Sequence, residues 1–206
     1  MARPAVHTRE EFLNAAMQIV DSEGLDALTL RRLGSVVGVS YTAVYTYFEN
    51  RDQLIGALVN NLSAEIVNGV KITGTTPHEM ILSIGIATRQ TLATHPLLVP
   101  AFTLAGTEEE EGESSTISII ATLLEHAGLT GKDLVLAYRA IESYVLGSTV
   151  FDLGAAPHHL STRQRRYRQS KHPDFMAVAK TEKSLHAHNE EAFVLGLIGL
   201  LTALGV

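Results

Sequence analysis

The sequence predicts an all-α fold, and three observations carry that prediction. Helix-capping residues recur along the whole chain, apolar residues repeat at helical spacing, and no period-two alternation is bounded by turn residues. With 206 residues, 46% of them apolar, the chain is long enough to bury a sizeable core.

Each element has its own local signal. Thr8 and Glu11 have the spacing of a capping box, and Phe12, Ala15, Ala16, Ile19 and Val20 then mark one helical face until Gly24 stops the run. Thr29 caps a short second helix that ends at Gly38. Ser40 caps a third, through about Tyr47. Asn50 with Gln53 opens a fourth that reaches about Val67. Pro77 suits the first turn of a helix extending to His95-Pro96. A short apolar helix is expected over 97–104, then the acidic loop "GTEEEEGESS", then helices at about 115–127 and 131–153. A polar, basic segment fills 154–172, and a C-terminal pair covers about 173–187 and 189–204. The organisation expected is an N-terminal domain over 7–66 and a helical regulatory domain over 67–206.

Composition narrows the function classes. There are no cysteines, which removes disulfide frameworks and thiolate metal sites and fits a reducing cytoplasm. The opening "MARPAVHTREEF" has no apolar run of signal-peptide length, so a cytoplasmic location is expected. The apolar stretch Ala192 to Val206 is short of the ~20 residues a membrane span needs, so no membrane partner is expected. Net charge is −6, which argues against nucleic acid unless the basic residues are locally placed. Through residue 60 they are Arg3, Arg9, Arg31, Arg32 and Arg51, all in the N-terminal arm or at helix starts.

The densest signal is "LTLRRLGSVVGVSYTAVYTYFENRDQL", residues 28–54. Two short helices joined by a glycine-containing turn, followed by a further cap, form a helix-turn-helix pattern. Leu30, Leu33, Val36, Val37, Val39 and Val44 would hold the pair together. Ala43, Val44 and Phe48 face inward on the third helix, leaving Tyr41, Thr42, Tyr45 and Thr46 outward, where hydroxyls suit phosphate oxygens and base edges. A lone tyrosine there would read as half-buried packing. Three tyrosines within residues 41–47 favour a binding face.

Residues 7–66 resemble the DNA-binding domain of the tetracycline-repressor (TetR) family of bacterial regulators. The resemblance rests on "AAMQIVDSEGLDALTLRRLGSVVGVSYTAVYTYFENRDQLIGAL": Gly24 ending the first helix, the Leu28-Thr29 entry, Gly38-Val39-Ser40, and Tyr45-x-Tyr47-Phe48. It implies a homodimeric repressor that binds a palindromic double-stranded operator and is released by a small molecule, here expected to be apolar. It further implies that Thr29 and Ser40 lie at the DNA, that Arg31 reaches a base edge, and that Tyr41 and Thr42 face bases. By the same resemblance Tyr45 and Tyr47 contact the backbone, and Arg51 replaces a usual lysine facing phosphate. Thr46 departs from the larger residue common at its position, though it stays within the expected DNA face.

The rest of the chain is less specific. Helix 131–153 is apolar on nearly all sides, and so is "AFVLGLIGLLTAL", with Gly196 and Gly199 permitting close approach. Two such helices exceed what one subunit covers, so a dimer interface is expected at Ile141, Val145, Phe193, Gly196, Gly199 and Leu200, with a large monomeric core as the alternative. A ligand pocket is expected among Ile84, Thr88, Phe102, Ile117, Ile120, Leu124 and Tyr138, anchored by Arg89 or Glu142. No catalytic motif and no cofactor signature is found. His158-His159, and His186 with Glu182 or Glu190, leave a metal-binding protein or an enzyme reusing the fold as the alternative function. "RQRRYR" (163–168) reads as basic surface.

Overall fold

The structure, a computed structural model, describes residues 7–69, 72–104, 116–153 and 159–206. Arg3, His158 and the acidic run 108–113 lie outside the described residues. The described residues form α1 (Arg9–Glu23), a single 3-10 turn (Leu25–Ala27), α2 (Leu30–Val37), α3 (Tyr41–Val44), α4 (Arg51–Gly69) and α5 (Pro77–Thr94). They continue as α6 (Ala101–Leu104), α7 (Thr116–His126), α8 (Gly131–Leu153), α9 (His159–Gln169), α10 (Pro173–Val178) and α11 (Glu182–Leu204). No strand occurs among them.

The caps form as their spacing suggests. Thr8 Oγ1 accepts from Glu11 N while the Glu11 carboxylate accepts from Thr8 N. Thr76 and Glu79 repeat this arrangement ahead of α5, with Pro77 in the first turn. At α4, Asn50 Oδ1 accepts from Gln53 N at 2.8 Å, and Gln53 Oε1 reaches back to Glu49 N at 2.7 Å.

Three boundaries differ from the sequence-based expectation. The C-terminal pair split at 187–189 is not two helices of that extent: α11 runs unbroken from Thr181, whose hydroxyl caps Ser184 N, to Gly205 in the left-handed region. The polar run "HAHNE" has no glycine or proline to stop a helix, and His188 Nδ1 bonds Ser184 O one turn back. The basic segment at 154–172 contains a helix, α9, whose Gln164 and Arg168 donate to the Ala179 carbonyl at the end of α10. The third helix is only four residues long.

Two apolar clusters organise the chain. The first joins Phe12, Ala16, Ile19, Val20, Leu33, Val44, Phe48, Leu54 and Leu58 across α1 to α4. It also takes in Leu92, Leu98, Val99 and Ala101, so the α5–α6 corner packs into the N-terminal core. His95 Nδ1 lies 2.9 Å from an Asp21 carboxylate oxygen and ties that corner to α1. The second cluster holds Ile81, Ile84, Ile120, Leu124, Ala137, Ile141, Val145, Phe193, Leu197 and Leu201, drawn from α5, α7, α8 and α11.

By length and composition α8 would also suit a bilayer (Gly131–Asp152, mean hydropathy 1.2), but here one face packs against α5, α7 and α11. Its other face leaves Leu136 55%, Val150 45% and Phe151 67% exposed, and on α11 Leu195 is 73% exposed.

Candidate nucleic-acid interface

The approach of α2 to α3 is set at the backbone. Gly38 has φ +82, in the left-handed region that other residues adopt at a cost, and it turns the chain between the helices. A Cβ at Gly34 would meet Val39 O and Val44 Cγ2, each at 3.2 Å, so the absence of a side chain lets α3 sit close. Val44 and Phe48 are fully buried beneath, and Tyr41, Thr42, Tyr45 and Thr46 are exposed. The outward face expected of residues 41–46 therefore forms.

Hydrogen bonding within the protein then sorts the expected contact residues. Thr29 Oγ1 accepts from Arg32 N and Ser40 Oγ from Ala43 N, so both hydroxyls serve as helix caps. Thr46 Oγ1 donates to Ala43 O at 2.7 Å, back onto its own turn. The Tyr41 and Tyr45 hydroxyls bond each other, their rings edge to face at 4.8 Å. That bond is also the main reason the Tyr45 phenol is held above its usual pKa. Tyr47 is half-buried: its hydroxyl donates to His7 O at 2.5 Å and its ring lies 4.5 Å from Phe12, fixing where the chain enters α1.

Arg51 does not face outward toward phosphate. Its Nε donates to Leu28 O at 2.8 Å and its Nη2 to Leu25 O at 2.9 Å, locking the start of α4 onto the turn before α2. A planar fork fits two convergent carbonyls in a way that an ammonium would not. Arg32 is paired with Glu23 at 2.6 Å, and the guanidinium holds that carboxyl below the usual range. Arg31 and Thr42 are exposed, with no partner among the described residues. His7 and Glu23 were missed as partners in the sequence because neither sits at a local spacing from the residue it holds.

The expected ligand set does not assemble into one pocket. Phe102 packs on the N-terminal cluster, Ile117 is exposed, and Ile120 and Leu124 fill the second core. Thr88 donates to Ile84 O, and Tyr138 and Arg139 both donate to Glu142. Arg89 is 1% exposed, donating to Glu190 at 2.7 Å and to Asp152 at 3.0 Å, with the Phe193 ring 4.7 Å from its guanidinium carbon. Burial pulls the Arg89 pKa down, and the Glu190 and Asp152 carboxylates more than reverse it. Asp152 is shared with Arg163 of α9 at 2.6 Å. Since Glu190 is bound to Arg89, it is no free partner for His186.

A small, partly open apolar cleft lies instead between α4, α5 and α7, lined by Ile66, Val67, Ile72, Ile84, Thr116 and Ile119. Of the expected lining, Ile84 is there. The sequence signal for the rest was the pair Ile66-Val67 at the end of α4, whose second apolar face had no partner in the N-terminal domain.

The expected dimer residues are also redistributed. Ile141, Val145 and Phe193 belong to the protomer's own core, because they lie on the faces of α8 and α11 turned toward α5. Leu200 packs against that core, and a Cβ at Gly196 would collide with the Tyr144 hydroxyl. Gly199 is exposed with open space around it.

Residues 12–58 match the family of bacterial regulatory proteins, tetR family. That segment is a TetR-type DNA-binding domain. An HTH-type transcriptional repressor of Mycobacterium tuberculosis is 26% identical over 148 residues, covering 69% of this chain and 56% of the relative. The tetracycline repressor protein class D of Escherichia coli is 22% identical over 143 residues, covering 69% of this chain and 65% of its own length. The chain thus spans little more than half the length of the mycobacterial relative. A possible TetR family transcriptional regulator from Streptomyces coelicolor A3(2) superposes with a TM-score of 0.74 at 23% identity, over 95% of this chain and 100% of the other. That likeness is one of fold, an N-terminal helix-turn-helix joined to a helical C-terminal part.

Proposed function

We propose that this chain is a DNA-binding transcriptional regulator, acting as a homodimeric repressor on a palindromic operator and released by an apolar small molecule. The observation that carries the DNA-binding reading is the exposed face of Arg31, Tyr41, Thr42 and Tyr45 on a TetR-type helix-turn-helix, left uncovered by the other described residues. Were the motif a disused interaction module, that face would be expected to lie against its own protein. The domain division proposed is a reading head over 7–66 and a regulatory part over 67–206, with the α5–α6 corner of the second packed onto the core of the first.

Support for a dimer comes from the uncovered apolar strip of Leu136, Val150, Leu195 and Ile198, together with the bare Gly147 and Gly199. A two-fold pair seated there would bury that strip and present two α3 helices to successive turns of one DNA face. Support for an apolar effector comes from the cleft beside α4, whose lining is isoleucine and valine with one threonine. The α4 helix runs from that cleft to Arg51 at the reading head, so repacking at Ile66 and Val67 bears on its tilt. Among structural neighbours, an Acinetobacter baumannii TetR was crystallised with minocycline and Streptomyces coelicolor ActR with (S)-DNPA.

The test is selection of a duplex from a random pool by the full chain, then titration of that duplex with and without compounds that raise the melting temperature. Palindromic enrichment with loss of binding on adding a compound is the expected result. No enrichment over non-specific DNA would end the regulator reading, and stabilising compounds that leave DNA affinity untouched would end the effector reading alone.

A further inference from the structure

The reading face has an unusual chemical inventory. Residues 39–48 are Val-Ser-Tyr-Thr-Ala-Val-Tyr-Thr-Tyr-Phe, with no Arg, Lys, Asn, Gln, Asp or Glu among them. Those absent types are the side chains that read base edges by strong hydrogen bonds: Arg and Lys on guanine, Asn and Gln on adenine, Asp and Glu on cytosine. What α3 offers is set by the bonds already made. Ser40 Oγ accepts from Ala43 N at the cap, and Thr46 donates its hydroxyl back onto Ala43 O while its side chain stays exposed. Tyr41 and Tyr45 bond each other through their hydroxyls, and the rings stay 49% and 44% exposed. The surface is therefore two aromatic rings held in a fixed edge-to-face pair, a threonine methyl, and the hydroxyl of Thr42. In the major groove, the base feature matched by apolar carbon is the C5-methyl of thymine.

We propose that α3 reads its half-site chiefly through thymine methyl groups packed against the Tyr41–Tyr45 pair, with Arg31 on α2 supplying a guanidinium for a guanine. This rests on the DNA-binding reading above and names the base chemistry that reading leaves open. It accounts for a reading head that carries little cationic charge. The pair is pre-assembled, because each phenol already holds the other in place, and burying the two rings against methyls removes apolar surface from water on both sides.

The experiment uses the full chain and the duplex it selects from a random pool. Each thymine of that duplex is replaced in turn by deoxyuridine, which deletes the methyl and keeps every hydrogen-bonding group. Affinity is read by fluorescence anisotropy. At least one position per half-site should lose about four-fold in affinity, the effect of one buried carbon. The loss should disappear in Tyr41→Ala or Tyr45→Ala and persist in Tyr41→Phe and Tyr45→Phe, which keep the rings. Arg31→Ala should relax the guanine preference and leave the methyl sensitivity unchanged. A selected duplex whose affinity is indifferent to every deoxyuridine, or whose methyl sensitivity survives both alanine variants, would overturn the methyl reading while leaving operator binding in place. Failure to select any duplex would instead remove the DNA-binding reading on which it rests.

Discussion

Replacing Arg89 with methionine should destabilise the protein by about 3 kcal/mol, near the low end of what removing one partner of a buried ion pair costs. The structure sets that position in the range. Arg89 has a side-chain exposure of 2%, and its removal strands two carboxylates. Asp152, 11% exposed, keeps Arg163 at 2.6 Å and stays compensated. Glu190, 39% exposed, rehydrates in part. Methionine conserves much of the arginine stem against Phe193, so the cavity contribution is small. In a chain of this size the expected fall in melting temperature is roughly 6–12 °C, followed by circular dichroism at 222 nm and fixed protein concentration. Adding Glu190→Gln to Arg89→Met should recover part of the loss, because the residual charge rather than the lost bond is the larger cost. Stability within ~0.5 kcal/mol of the parent for Arg89→Met, or a further loss on adding Glu190→Gln, would refute the reasoning that the cluster acts through buried charge.

Three further outcomes are expected. Arg51→Ala should lower stability by ~1.5–3 kcal/mol, since two carbonyls lose a charged donor, while the salt dependence of DNA binding keeps its slope; a flattened slope with unchanged melting would return Arg51 to the phosphate backbone. Leu195→Glu, at the most exposed apolar site of α11, should sediment as a monomer and lose operator binding, and an intact dimer would remove that face from consideration. Glu11, Glu23 and Glu79 are all held below the usual carboxylate range, by the Thr8 amide, the Arg32 guanidinium and the Thr75 and Thr76 amides. Their contribution is present above the unfolded-state value and lost as pH falls through the lower folded values, so stability should decline below about pH 4; Glu79→Gln should make that decline shallower in urea titrations, and an unchanged profile would count against the assignment.

What the sequence by itself determined is local. Thr8, Thr29, Ser40, Asn50 and Thr76 each lie three residues from the amide they cap, and Gly24, Gly38 and Gly205 sit where the backbone takes a positive φ, so residue type and spacing suffice to place those helix ends. The same holds for the inward set Phe12, Val44 and Phe48 and the outward set Tyr41, Thr42 and Tyr45, because one helix turn fixes which side chains share a face. The partner of a long polar side chain was decided only by the tertiary structure. Arg51 reads as a phosphate contact until Leu25 and Leu28 present two carbonyls to it, and Tyr47 until His7 does the same. Arg89 reads as a pocket anchor until Glu190, 101 residues on, arrives beside it. The apolar helices followed suit. Periodicity shows that α8 and α11 are apolar nearly all round, but the packing of α5 and α7 is what assigns Ile141, Val145 and Phe193 to the inside and Leu136 and Leu195 to the outside. A helix that is apolar on every side carries no pattern to say which face meets its own chain, and that choice belongs to the neighbours brought against it by the rest of the fold.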